Sequence, residues 1–67
     1  NFNAMLHQYR IEDAGAVLSD KENHNLPVLT IALSVGYQSI TPFNNAFREL
    51  KGVTPSEFRK RWAQSRD

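Results

Sequence analysis

The segment 29–50, LTIALSVGYQSITPFNNAFREL, constrains the chain more than any other. It reads as a short apolar helix, a glycine turn and a second helix with one apolar and one polar face. Ile40, Phe43, Phe47 and Leu50 recur at spacings of three, four and three. That spacing is one stripe of an α-helix. Thr41, Asn44, Asn45 and Arg48 follow it one residue later and form a hydrogen-bonding face. This face carries no acid and ends in a cation. Such side chains suit base edges and the phosphates around them.

The flanks extend the helical pattern. Leu29, Ile31, Ala32 and Val35 make a burial face for a helix over 28–35, with Pro27 in its first turn. Gly36 ends it with a positive φ at a tight turn. Ser39 or Thr41 caps the next helix, and Pro42 then falls at its third or first position, where N–H groups lack helical partners. Gly52 is its C-terminal left-handed residue. Thr54-Pro55-Ser56-Glu57 is a capping box with proline at the first position. Phe58 and Trp62, one turn apart, mark the buried side of the last helix. The tail after Ala63 is expected to fray.

The first helix, about Phe2 to Leu18, has two apolar sides. Phe2, Met5, Leu6 and Tyr9 lie on one, and Ile11, Ala14 and Leu18 nearly opposite. A helix of that kind sits between two partners. Gly15 either weakens it by about 1 kcal/mol relative to Ala or permits close packing. The stretch 19–25 is polar and reads as an exposed loop. No strand pattern is visible, so an all-α fold is expected.

Sixty-seven residues allow one small domain with a marginal core, and without cysteine there is no disulfide to support it. No apolar run approaches the roughly 18 residues of a membrane span. The start lies within a helical pattern and without Met, which reads as a fragment of a larger protein. Charge is uneven. Residues 1–27 carry two cations against four acids, 28–47 carry no formal charge, and 48–67 carry six cations against three acids. Basic charge thus follows the polar-faced helix.

That helix is expected to enter the DNA major groove. Asn44 and Asn45 match the adenine edge, Thr41 bonds a base or phosphate, and Ile40 touches a thymine methyl if exposed. Arg48 meets phosphate. Ser39 and the Thr54–Ser56 turn are candidate phosphate clamps through helix N-termini. Arg59 and Arg61 add charge there, or pair with Glu57 and stay structural. Nothing points to catalysis. His7 and His24 are isolated, no carboxylate pair lies in an apolar setting, and no nucleophile elbow or phosphate-binding glycine loop occurs. No cofactor is expected. Salt dependence of DNA binding would separate this reading from its alternative, a protein-interaction or self-association module working through the apolar face of helix 2–18.

The stretch 31–62 resembles the second helix-turn-helix of the AraC/XylS family of bacterial transcription regulators. Ile31, Ala32, Gly36, Tyr37, Ser39, Phe43, Phe47, Arg48, Gly52, Thr54, Pro55, Phe58 and Arg59 fall on its pattern. Arg10, Ala14 and Leu18 match the helix that links the family's two helix-turn-helix units. The resemblance implies a homeodomain-like three-helix unit over 20–67, preceded by a linker helix over 1–19. It implies double-stranded DNA as partner, with the first unit and an N-terminal effector or sensor region elsewhere in the parent regulator. A homodimer through the N-terminal helix is the further partner to consider. The DNA-binding portion would be cytoplasmic, whether or not the parent is membrane-anchored. The family often has Arg where Asn45 stands, which implies a mainly positioning role for this unit.

Overall fold

The computed structural model describes residues 2–64. Four helices follow in order: α1 (Phe2–Ser19), α2 (Val28–Ser34), α3 (Ile40–Lys51) and α4 (Pro55–Gln64), with a 3-10 turn at Lys21–Asn23. The described residues contain no strand. Of the tail expected to fray after Ala63, Gln64 is the last residue of α4 and 65–67 lie outside the described residues.

The core joins all three helices of the first three segments to the turn between the second and third. Ile11, Ala14 and Leu18 of α1 meet Ile31 and Ala32 of α2, Tyr37 of the turn, and Phe43 and Phe47 of α3. α4 adds Phe58, half-buried, whose ring meets Phe47 edge-on at 5.3 Å. One stripe of α1 therefore supports the helical unit. The other stripe is bare: Phe2 and Tyr9 keep 76% and 68% of their surface, Met5 is exposed, and Leu6 is half-buried.

Two helix ends follow from glycine. Gly36 has φ +105°, and the turn closes with Gly36 N–H donating to Leu33 O (3.2 Å) and Tyr37 N–H to Ala32 O (3.0 Å). These are the two bonds of a Schellman motif, so the last carbonyls of α2 are satisfied before the chain turns. Gly52 caps α3 with φ +82°, its N–H donating to Arg48 O at 2.8 Å.

α4 begins as its sequence implies. Thr54 Oγ1 accepts from Glu57 N–H at 3.1 Å, and Glu57 Oε1 accepts from Thr54 N–H at 3.0 Å. Pro55 is the first helical residue and is fully buried.

Four expectations about burial change. Leu29 is exposed, because Val28, Ile31, Ala32 and Val35 share one face of α2 and Leu29 lies about 100° around from it. Ile40 and Leu50 are exposed, because only the middle of α3 crosses the core, while Phe43 and Phe47 are fully covered. Trp62 keeps 43% of its surface, because it lies a turn beyond Phe58, where α4 runs past the core. Pro27 stands at the N-cap of α2 rather than inside its first turn. The loop 19–25 is also not featureless: Asp20 caps the 3-10 turn by accepting from Glu22 N–H at 2.9 Å.

Candidate nucleic-acid interface

α3 presents its polar side to solvent because Phe43 and Phe47 anchor the opposite side. Ser39, Ile40, Thr41, Asn45 and Arg48 are exposed, and Asn44 is half-buried. Ile40, Thr41, Asn44 and Asn45 lie in the first two turns of the helix, with Ser39 just before them and Arg48 just after. Ser39 is the N-cap residue, but its side chain makes no capping bond. Pro42 takes the third helical position, so the free backbone donors at this end are those of Ile40 and Thr41. No acid lies in the first turn, and Arg48 and Lys51 lie in the last.

The acid-free description of this face needs one correction. Glu49 is exposed one turn beyond Asn45, and both line a groove of about 490 Å³ with Ala4, His7, Pro42, Ala46 and Leu50. The polar face is thus bounded by a carboxylate on the side toward α1. Its cation-bearing edge is the other one, through Arg48.

The second cluster of expected site residues is differently occupied. The Thr54 hydroxyl accepts from Glu57 N–H and donates to Glu57 Oε1, so it is committed to the cap. The Glu57 carboxyl is held below its ordinary pKa, first by the Thr54 backbone N–H and then by the Thr54 hydroxyl, with Arg48 and Arg61 adding a smaller pull. A carboxylate therefore already sits where a phosphate would approach the α4 N-terminus. Ser56 is exposed beside it. Arg59 is half-buried, and its Nη1 donates to the Leu26 carbonyl just ahead of α2. That bond pins α4 to the loop ahead of α2.

Sequence reasoning treated His7 as isolated, yet its Nδ1 lies 2.6 Å from the Tyr37 hydroxyl. Arg10 stacks over the same ring, 5.5 Å from its centroid. Glu12 and Lys51 pair at 3.1 Å across α1 and α3. None of these contacts leaves a local signal, since each joins residues at least 27 apart. Among the described residues, no group of three or more histidines and acids is placed to hold a metal ion, and no helix is long and apolar enough to cross a membrane.

This arrangement agrees with what the chain is similar to. A family model described as a helix-turn-helix domain matches residues 1–61. The chain belongs to the AraC/XylS helix-turn-helix family. Members of that family are DNA-binding transcription regulators, not enzymes. Over 61 residues the chain is 41% identical to the RCS-specific HTH-type transcriptional activator RclR of Escherichia coli (strain K12). The match covers 91% of this chain and 20% of that protein, so the chain spans about a fifth of the relative's length. No solved structure matches. AraC-type membership accounts for the glycine turn, the capped α4 and the shared core with one fold.

Proposed function

We propose that this chain binds duplex DNA sequence-specifically by laying α3 in the major groove, as part of a larger bacterial transcription regulator. The observation that carries the reading is the solvent-facing row Thr41, Asn44, Asn45 and Arg48, held outward by two fully buried phenylalanines on the same helix. Asn44 and Asn45 read base edges, Thr41 and the exposed Ile40 reach a base or a thymine methyl, and Arg48 meets phosphate. Ser39 and the α3 N-terminus hold a second phosphate. Thr54 and Arg59 serve this face indirectly, by fixing α4, while Ser56 keeps an accessible hydroxyl. The segment 1–19 acts as the linker helix and 20–67 as the second helix-turn-helix unit. The activity takes place where the DNA is, in the cytoplasm.

Two-dimensional amide NMR with a short duplex tests this. Shifts concentrated at 39–48 are expected, weakening with salt. If three phosphates are neutralised, affinity falls on the order of 40-fold between about 50 and 200 mM salt. In the same assay Asn45→Ala costs about tenfold and relaxes sequence preference. Shifts absent from α3, or an Asn45→Ala variant indistinguishable from wild type, would sink the assignment.

A second reading is favoured by the bare stripe of Phe2, Met5 and Tyr9. In it α1 is an association surface, for the first helix-turn-helix unit of the parent or for a second copy. Salt leaves such apolar contact nearly unchanged, so the two readings separate in one titration.

A further inference from the structure

Asn45 stands directly opposite the two phenylalanines that anchor α3. At about 100° per residue, the midpoint between Phe43 and Phe47 lies about 180° around the helix from it. Thr41 and Arg48 fall about 40° and 60° to one side of Asn45, and Glu49 falls about 40° to the other. Glu49 is therefore as central to the outward face as Thr41, and nearer its middle than Arg48. Its side chain is exposed.

The carboxylate is not taken up by a neighbouring cation. Among the described residues the ion pair is that of Glu12 with Lys51, the last residue of α3. Glu49 instead overhangs the groove between α3 and α1, where Ala4 and His7 form the opposite wall and no described lining residue is a lysine or arginine.

Such a group has few uses on a helix laid in the major groove. A carboxylate carries only acceptors, and the phosphates on either side are anions, so the backbone repels it. Only a base edge that donates can hold it. The donors there are the amino groups of adenine and cytosine. Adenine sets its N7 acceptor beside the amino group, which suits an amide that both donates and accepts. Cytosine presents its N4 amino group as a donor alone, which suits a carboxylate.

We propose that Glu49 is a specificity-determining residue whose carboxylate accepts from a cytosine amino group beside the base read by Asn45. This rests on the placing of α3 in the major groove given above. Four residues of α-helix advance about 6 Å, and successive bases along a strand are about 3.4 Å apart. The cytosine therefore lies about one or two base pairs from the pair that Asn45 contacts. Glu49 also acts by exclusion. Where that amino group is missing, the carboxylate faces phosphates and base acceptors with no donor to offset them, so the wrong sequence is penalised.

The test is selection from a pool of short duplexes with a randomised centre, at one fixed salt concentration, using the wild type, Glu49→Ala, Glu49→Gln and Asn45→Ala. The wild-type pool is expected to carry cytosine at one position, one or two pairs from the position that Asn45→Ala relaxes. Glu49→Ala is expected to lose that cytosine and no other preference. Its discrimination between the selected duplex and one with the cytosine replaced shrinks at least about fivefold. Glu49→Gln, with an amide in place of the carboxylate, moves the preference at that position from cytosine toward adenine. A Glu49→Ala variant that binds every duplex more tightly by the same factor overturns the base contact and leaves repulsion alone. A wild-type pool without that cytosine, or a cytosine preference unchanged in Glu49→Ala, also overturns it. If Asn45→Ala still relaxes its own position in those cases, the major-groove reading stands without this contact. A wild-type chain that binds no duplex overturns that reading, and the cytosine contact falls with it.

Discussion

Glu57 shows how much one side chain does at a helix start. Its carboxylate accepts from both the N–H and the hydroxyl of Thr54, which holds its pKa below the ordinary 4.5. A carboxyl lowered by folding stabilises the fold above its unfolded pKa and loses that contribution as pH falls through the folded value. Thermal unfolding of wild type and Glu57→Gln should therefore differ most above about pH 5, near the unfolded glutamate value. The gap should close as the solution is acidified below 4.5. A gap that persists at about pH 3 would mean the bond is not the ionised one described. Thr54→Ala is expected to cost about 1 kcal/mol at neutral pH, as N-cap losses do. Arg59 teaches the converse. Its charge suggested a phosphate ligand, and one of its five N–H donors is held by the Leu26 carbonyl, 33 residues away.

Two glycines separate what an element needs from what it merely tolerates. Gly15 lies inside α1, and a methyl there would rest 3.7 Å from Phe58 Cζ and 3.8 Å from Lys51 Cε, ordinary contact distances. Gly15→Ala should raise stability by about 0.5–1 kcal/mol through helix propensity and a less mobile unfolded chain. Gly36→Ala should do the opposite and cost more than about 1 kcal/mol. Its φ is +105°, and the new methyl would press on Arg10 at 3.0 Å. Chemical denaturation of both variants checks the pair, and the same sign for both would refute this account of α1 packing. The elements also divide by how legible they were. The Thr54–Glu57 box and both glycine helix ends were readable because their bonds span five residues or fewer. The His7–Tyr37, Arg59–Leu26 and Glu12–Lys51 contacts were not, because each exists only after the helices dock. Periodicity located the core face of α3 but not how far the core extends along it. Hence Phe43 and Phe47 were anticipated correctly, Leu50 and Trp62 were not, and Ile40, left open between the anchoring stripe and a base contact, is exposed.

At the scale of the whole molecule, eight buried apolar residues among those described carry the fold. Phe47→Ala should remove about 3–5 kcal/mol, against a total of roughly 3–10 kcal/mol for a chain this size. Its circular dichroism at 25 °C should be largely that of an unfolded chain. Tyr9→Ser and Phe2→Ser, on the bare side of α1, should leave the helical signal intact and reduce concentration-dependent association in sedimentation. A stable Phe47→Ala fold would mean the core is wrongly drawn. Association unaffected by the outer substitutions would mean that side is not sticky. The ring contacts running from Phe47 to Phe58 to Trp62 have a practical consequence. Trp62 is the sole tryptophan of the chain, and it sits half in water at the far end of that row. The molecule carries its own fluorophore at the seam where the last helix leaves the core. Undocking of that helix alone would change its emission while far-ultraviolet ellipticity barely moved, so local opening and global melting can be told apart without attaching a label.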